Sequence, residues 1–518
     1  MNLPSIAIHG WHNASVAVYF EGDVISVIEI ERLVNIKNAG LDYFNPVFSG
    51  ETILKEIYDY FKAEFGFTKY NKCILGHITV EIPQKYRDAF PANEYIHDPR
   101  HHTFHALGSL YQSPFKKALI VSIDGGSSEG YFDVNVGEKG VGVSRTKAIH
   151  LDLGSHYHLI GSLCSEIKNY HVLTASGKVL GLQSYGKVIK EWIQPLKDFF
   201  TGPIPYYENL DQKIAALSNI LGVEFSQTNK LKGEDSYNFA RAAQEAFEEV
   251  VFDNIDEEVK KYDLPIILTG GCALNIILNT KVKERYNREV FVAPNSSDCG
   301  LTAGMLCAHL PINQTIDLTY KGISVLDKYT LAEYVESKRG LKTDLARIVE
   351  DLAADKILGV VQGNAEHGPR ALGNRSIICS PISPDMKDTL NLRVKHREWF
   401  RPFAPIVRLE DVSEYFEWEG ESRWMNFCPK VKPEYIDKIP AVVHVDGTAR
   451  VQTVTREQNE FIYDLLTLFK EKTGIGVLVN TSFNVDGKPI LSTYKDAFKV
   501  FDKTQLDRLY LDGYYFRK

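Results

Sequence analysis

The sequence predicts an α/β fold in two or more domains, and three observations carry that expectation. Hydrophobic, strand-like runs alternate with longer amphipathic stretches of helical period, the pattern of sheets with helices packed on them. The turn-rich segment PINQTIDLTY at 311–320 interrupts the pattern, which restarts beyond it. At 518 residues the chain is also too long for a single core.

The elements follow in order. Residues 4–9 and 14–30 read as two strands around the polar loop HGWHN. The strand ALIVSID at 118–124 runs into Asp-Gly-Gly and then into a further strand, GYFDVNV. The two openings resemble each other, so an internal duplication of a β-rich sheet is expected. Residues 234–263 form one long amphipathic helix, followed by the strand PIILTGG and the helix ALNIILNTKVKERY. After the connection come a helix around 345–355, the strand KILGVVQG, the segment VVHVDGTARVQTV, a helix over 457–472 and the strand GVLVNTSFNV. The boundary is placed within 310–330, giving domains 1–322 and 323–518.

Composition narrows the class. A hydrophobic content of 44% and a charged content of 24% are ordinary for a globular protein. The net charge of −8 argues against a general nucleic-acid coat, but not against a local basic groove. Seven scattered cysteines without a C-x-x-C suit a reducing compartment rather than a disulfide framework or a zinc finger. The start MNLPSIAIHGWHNAS has no basic region followed by a long apolar run, so no signal peptide is expected. No apolar stretch approaches the about 18 residues that would suggest a membrane span. A cytoplasmic protein without membrane contact is expected.

Three motifs carry chemistry. In HHTFHA, His101 and His105 stand at i and i+4, so a helix puts both imidazoles on one face at a spacing that suits one metal ion. His102 points elsewhere and reads as structural. Asp124 at the end of a strong strand and Asp298 before a Gly-rich helix start could add carboxylates; their ordinary alternative is turn formation or capping. Two His with one or two carboxylates suit Fe(II) or another divalent transition metal. The second motif is a set of Gly-rich turns: Gly125 with Gly126, Gly270 with Gly271, and Gly300 with Gly304. Each alone is weak, but together at strand ends they suggest a nucleotide between two lobes.

The third is a basic cluster at 363–407. Residues 361–408 hold eight Lys/Arg against four Asp/Glu, a local excess of four positive charges. Arg370, Arg375, Lys387, Arg393, Lys395, Arg397 and Arg401 are interleaved with Gly, Pro and aromatics. Guanidinium forks fit phosphate or carboxylate oxygens, so an anionic partner is expected. Arg450 in DGTAR, and Asn480 with Ser482 in NTSFN, extend the set; the last two also fit simple turn chemistry.

Together the segments HNAS, HHTFHA, SIDGG, GKVLGLQSYG, TGGCALN, PNSSDCG, EHGPRALGNRSI, KHREWFRPFAP, HVDGTARVQTV and NTSFNVDGKPI resemble the O-carbamoyltransferase family of nodulation-factor and antibiotic biosynthesis. The resemblance runs over nearly the whole chain. It implies an N-terminal actin-like ATPase (ASKHA, two-lobed) domain and a YrdC-like α/β C-terminal domain. In the latter, carbamoyl phosphate and ATP, with Mg2+ as the nucleotide's companion, would give carbamoyl-adenylate. In the former, an acceptor hydroxyl would attack the carbamoyl carbon, with a divalent metal (iron in the studied member) helping to hold the adenylate.

Mapped onto this chain, the resemblance makes His101, His105, Asp124 and Asp298 the metal ligands. It makes Arg370, Lys395, Arg401 and Arg450 the C-terminal anion site, with Asn480 and Ser482 nearby. His12 and Lys37 match positions near the transfer site, and Gly125, Gly126, Gly270, Gly271 and Asn275 would contact nucleotide. Two departures stand out: His12-Asn13 replaces the usual His-Asp, and Asn238 stands where relatives often carry an acid proposed as acceptor base. The resemblance leaves the acceptor open between a hydroxyl of a sugar or antibiotic-like small molecule and a hydroxymethyl group on a modified DNA pyrimidine, which would suit a phage-encoded enzyme. A homodimer is compatible with this reading. A threonylcarbamoyl-type tRNA modification enzyme is the alternative; it shares both folds but not the GPRALGNRSI and FRPFAP segments. A non-enzymatic actin-like module is opposed by the intact ligand and cation sets.

Overall fold

The computed structural model describes residues 3–41, 45–76, 82–127, 129–168, 172–203 and 209–518. The chain divides into two compact units, Met1–Leu318 and Thr319–Lys518, and both are mixed α/β.

The first unit contains two five-stranded sheets. One uses β1 (Ser5–His9), β2 (Ser15–Phe20), β3 (Asp23–Glu29), β4 (Tyr70–Leu75) and β5 (Ala92–His97), in the order β3-β2-β1-β4-β5. The other uses β6 (Lys117–Ser127), β7 (Gly130–Glu138), β8 (Gly142–Ile149), β9 (Ile266–Thr269) and β10 (Val290–Val292), in the order β10-β9-β6-β7-β8. In each, an antiparallel meander is extended on its first strand by two parallel strands. Strand order and sense are therefore the same in both, which is the duplication expected from the two similar openings.

One expected element is corrected. Residues 14–30 do not form one strand but a hairpin, β2 and β3, reversed at Glu21 and Gly22. Both turn residues have positive φ, 50° and 94°, the geometry whose twist suits a two-residue hairpin.

Two helices, one packed on each sheet, also pack on each other. The helix His101–Gln112 is almost wholly buried and lies against the helix Leu301–His309. Glycine permits their close approach: a Cβ on Gly304 would sit 1.9 Å from the Phe104 carbonyl oxygen. Phe104, Leu107, Tyr111, Leu301, Met305 and Leu306 share one core with Ala7, Ala17 and Ile74 of the first sheet. The long helix expected over 234–263 spans Gly233–Lys261.

The second unit carries an eight-stranded sheet: β11 (Leu341–Lys342), β12 (Leu358–Val361), β13 (Arg375–Cys379), β14 (Ala404–Arg408), β15 (Gln452–Val454), β16 (Val477–Ser482), β17 (Arg508–Leu511) and β18 (Tyr514–Arg517). Their order is β11-β18-β17-β12-β13-β16-β14-β15. The helix expected over 457–472 starts later, at Glu460, because the Asn459 side chain caps it by accepting from the Ile462 N–H at 3.1 Å. Among the described residues no helix is long and apolar enough to cross a membrane.

Candidate metal centre and anion site

Four ligand-capable side chains of the first unit converge: the donor atoms of His101, His105, Asp124 and Asp298 lie within 4.8 Å of one another. The helix sets His105 Nε2 3.1 Å from His101 Nε2. Regular pairing of β6 with β7 stops at Ile123, and the irregular stretch beyond it turns Asp124 towards the imidazoles. His105 Nε2 is 3.0 Å from Asp124 Oδ2 and 3.5 Å from Asp298 Oδ1. Asp298 opens the turn that leads into the Leu301–His309 helix.

Asp124 is also held by the glycine turns. Its carboxylate accepts the Gly125 N–H at 2.6 Å and the Gly271 N–H at 2.9 Å. Gly270 has φ of +84°, and a Cβ there would meet the Ile123 carbonyl oxygen at 2.2 Å, so only glycine fits.

Electrostatics define what the cluster wants. Burial and mutual repulsion oppose ionisation of Asp124, yet the imidazoles of His101 and His105 hold it below the usual carboxylate range. Burial likewise opposes ionisation of Asp298, and His12, His101, His105 and His9 outweigh it. Burial disfavours the His105 cation, but hydrogen bonds to Asp124 and Asp298 raise its pKa to about 9. A proton thus holds two buried carboxylates together. Two imidazoles and two carboxylates are a donor set and number that fit a divalent transition metal. Such an ion must displace the His105 proton. Apparent affinity is therefore expected to climb about tenfold per pH unit below the His105 pKa and to level off above it. Calorimetric titration across that range should also register about one proton released per ion near neutral pH.

His102 is engaged structurally, with Nδ1 2.7 Å from Ser122 Oγ and Nε2 3.2 Å from the Gly130 carbonyl. Burial and then the neighbouring imidazoles push it down to about 4, so it stays neutral.

The second unit gathers cations at neighbouring strands. Arg370 lies between β12 and β13, Lys395 and Arg401 between β13 and β14, Arg450 just before β15, and Asn480 and Ser482 on β16. Glu366 shapes the Arg370 loop: its buried Oε1 accepts from the Leu372, Asn374 and Arg375 N–H groups at 2.6, 2.9 and 3.2 Å. Asn480 Nδ2 ties that loop to β15, donating to the Ala371 carbonyl at 3.1 Å and Gln452 Oε1 at 2.6 Å. Lys395 Nζ donates to the Ser482 carbonyl and to Asn484 Oδ1, each at 2.5 Å. Arg401 reaches Glu398 and Asp486, each at 3.4 Å.

Burial, reinforced by Arg401, depresses the Arg370 pKa to about 10, and burial with Arg370 and Arg401 depresses Arg450 well below its usual value. With its pKa at about 10, Arg370 remains charged at neutral pH. The Nε atoms of Arg370 and Arg450 are buried without a hydrogen-bond partner, and among the described residues neither is in ion-pair contact with a carboxylate. Guanidiniums crowded this way call for an anion.

Not every cation of the 363–407 segment joins them. Arg375 is fully buried and donates to the Gln362, Gly363 and Asn374 carbonyls. Arg397 bonds Asn391 Oδ1 at 2.7 Å and the Pro402 carbonyl at 3.2 Å and stacks on Phe403. These two hold the loops rather than face an open ligand position.

Comparison with known proteins gives the family. A family profile described as carbamoyltransferase N-terminus matches residues 47–307, and one described as carbamoyltransferase C-terminus matches 349–518. The chain is a member of the carbamoyltransferase family. It is 31% identical over 462 residues to nodulation protein NolO of Bradyrhizobium diazoefficiens, covering 81% of this chain and 78% of that one. An uncharacterised protein of Methanocaldococcus jannaschii is 32% identical over 451 residues, covering 81% of this chain and 82% of its own. The 3'-hydroxymethylcephem-O-carbamoyltransferase of Streptomyces clavuligerus is 33% identical over 264 residues, covering 49% of each chain.

The remaining residues singled out in this carbamoyltransferase are placed as follows. His12 Nδ1 lies 3.4 Å from Asp298 Oδ2, with the side chain one-quarter exposed. Lys37 is half-buried in the segment whose next residues pair with the His12 loop, Asn13 N to Asn38 O and Ala14 N to Ala39 O. Gly126 has φ of +114°, and Gly125 abuts Gly154, whose Cβ would lie 2.9 Å from the Gly125 Cα. Asn275 caps the helix Ile276–Tyr286 and exchanges side-chain hydrogen bonds with Gln244. Asn238 Oδ1 accepts the Lys187 N–H at 2.7 Å, which commits it to the backbone. Sequence reading missed His9, which ends β1 and faces Asp298, and Glu366; His9 looks there like one more strand residue, and Glu366 like a loop acid.

Proposed function

We propose that the chain is an ATP-dependent O-carbamoyltransferase with two centres, one in each unit. The observation that carries this reading is the pairing of a buried two-His, two-Asp cluster in one unit with unpaired guanidiniums in the other. The second unit, read as the YrdC-like domain, would take two polyanions, carbamoyl phosphate and ATP with its Mg2+. Arg370, Lys395, Arg401 and Arg450 would neutralise their repulsion, with Asn480 and Ser482 fixing the loops around them.

For the atoms to balance, water first releases carbamoyl phosphate's phosphoryl group as inorganic phosphate. A carbamate oxygen then attacks the α-phosphorus of ATP; the new O–P bond forms as the α–β bond breaks, and pyrophosphate leaves. The acceptor hydroxyl next attacks the carbamoyl carbon, AMP leaves, and the hydroxyl proton passes to a base.

In the first unit His101, His105, Asp124 and Asp298 would hold a divalent metal, Fe2+ by the family resemblance. Bound there, it would supply Lewis acidity to the adenylate's phosphate oxygens. His12 is the acceptor base in this reading, since Asn238 cannot serve. With Asp298 Oδ2 3.4 Å from His12 Nδ1, a proton on Nδ1 would leave the basic lone pair on Nε2, the tautomer a base requires. Lys37 would steady the adenylate's charge, and the turns at Gly125, Gly126, Gly270 and Gly271, with Asn275, would receive the nucleotide.

His12→Ala is expected to slow carbamoyl transfer by about 10²- to 10⁴-fold while leaving pyrophosphate release unchanged. The reading as a whole is tested by incubating the protein with ATP and carbamoyl phosphate. Pyrophosphate should form only when both are present, and mass spectrometry of sugar, antibiotic and hydroxymethylpyrimidine-DNA acceptors should find one added carbamoyl group. Pyrophosphate that forms equally without carbamoyl phosphate would refute it. A salt-dependent shift of duplex DNA separates the acceptors: no binding at low salt removes the polymer.

A further inference from the structure

His9 is the last residue of β1, buried to 5% exposure, and among the described residues its Nε2 has no hydrogen-bond partner. A buried imidazole N–H without a partner costs stability, so such a group in a folded protein calls for an explanation. Asp298 Oδ2 lies 3.6 Å from His9 Nε2. That is just outside the usual hydrogen-bond range, and a small rotation of the Asp298 side chain would close it. The other oxygen, Oδ1, faces His101 and His105 at 3.7 and 3.5 Å. Asp298 is thus shared: one oxygen looks into the donor cluster, and the other looks out to His9 and to His12.

We infer that His9 is a positioning residue of the metal centre, donating its Nε2–H to Asp298 Oδ2 so that Oδ1 is the oxygen offered to the cation. The inference rests on the reading of the four-residue cluster as a metal site. Its logic is chemical. An ionised carboxylate can only accept, so the proton shared with it must be on His9, which fixes the imidazole tautomer. A donor on the outer oxygen keeps Asp298 from turning its second oxygen inward. It thereby sets a single-oxygen ligand next to two imidazoles and Asp124. Because His12 Nδ1 approaches the same Oδ2, His9 also fixes the carboxylate against which His12 is oriented. In the sequence His9 is separated from His12 by only Gly10 and Trp11, so one short loop after β1 supplies both imidazoles.

The test uses cobalt(II) as the probe, with the full-length protein and the variants His9→Leu, His9→Gln and His105→Ala. Gln can place an amide N–H where His9 Nε2 stands; Leu fills similar space and donates nothing. Wild type is expected to bind one Co2+ per chain. His9→Leu is expected to bind it about 10- to 100-fold more weakly, with an altered visible spectrum. His9→Gln should return to within about threefold of wild type, a rescue that a filling role does not predict. Both His9 variants are first checked for the wild-type melting temperature without cobalt, and His105→Ala for a cooperative melting transition. Equal affinity in His9→Leu and wild type overturns the inference, and so does His9→Gln binding as weakly as His9→Leu. If wild type itself binds no Co2+, or His105→Ala binds it as well as wild type does, the metal-site reading falls, and the inference with it.

Discussion

Arg370→Ala is expected to abolish carbamoyl-phosphate-dependent release of pyrophosphate from ATP, a loss of at least about a hundredfold. Arg370 is crowded by Arg401, its Nε is buried without a partner, and burial already disfavours its charge. A substrate phosphate would supply what the protein withholds. Two parallel charge-assisted hydrogen bonds are among the strongest contacts a side chain can make. Arg401 cannot take over, because Glu398 and Asp486 already compete for it at 3.4 Å. Arg370→Lys should recover little, since a point charge lacks the planar fork. Inorganic phosphate gives a second readout. It should raise the melting temperature of wild type, as any ligand selective for the folded state does, and do so far less in the variant. Retention of near-normal pyrophosphate release by Arg370→Ala would remove the basic cluster as the donor site.

What could be read from the sequence, and what could not, follows from how local each feature is. The His101–His105 pair was legible because helical period alone puts both rings on one face. Asp124 was legible as an acid directly before two glycines on a strong strand, although that strand, β6, continues through the glycines to Ser127. The duplicated sheets were legible because both openings repeat a strand, a polar turn and a strand. The Glu21–Gly22 turn does carry a signal, Glu-Gly-Asp between two apolar runs, which reading 14–30 as one strand passes over.

His9 was hidden for a related reason: it occupies the final position of a buried strand, and only the approach of Asp298, 289 positions later in sequence, gives it meaning. The basic segment shows the limit most clearly. Arg370 and Arg375 sit five positions apart in the same motif, yet among the described residues one has no ion-pair partner and the other is consumed by three backbone carbonyls. Charge can be counted in a sequence, but whether a guanidinium faces a carbonyl or an open position is decided by loop geometry, here by the Glu366 carboxylate.

His105→Ala is expected to leave pyrophosphate release intact while cutting formation of carbamoylated acceptor by about a thousandfold or more, as loss of a reaction's main electrostatic anchor does. His105 is the residue through which the first unit's cluster is joined: it lies 3.0 Å from Asp124 and 3.5 Å from Asp298. Removing it deletes one of four donors and also the proton that offsets two buried carboxylates. Left facing each other, those carboxylates cost local stability of order 3 kcal/mol. His105→Gln, which retains a donor of similar reach, is the companion variant if the alanine form is poorly folded. In both, the unpaired guanidiniums of the second unit are untouched, so activation of the carbamoyl group should continue and the unused adenylate should hydrolyse. The signature is pyrophosphate and AMP accumulating without an added carbamoyl group on the acceptor. Loss of pyrophosphate release in a folded His105 variant would mean that donor activation also depends on this cluster, and the assignment of one chemical step to each unit would be wrong.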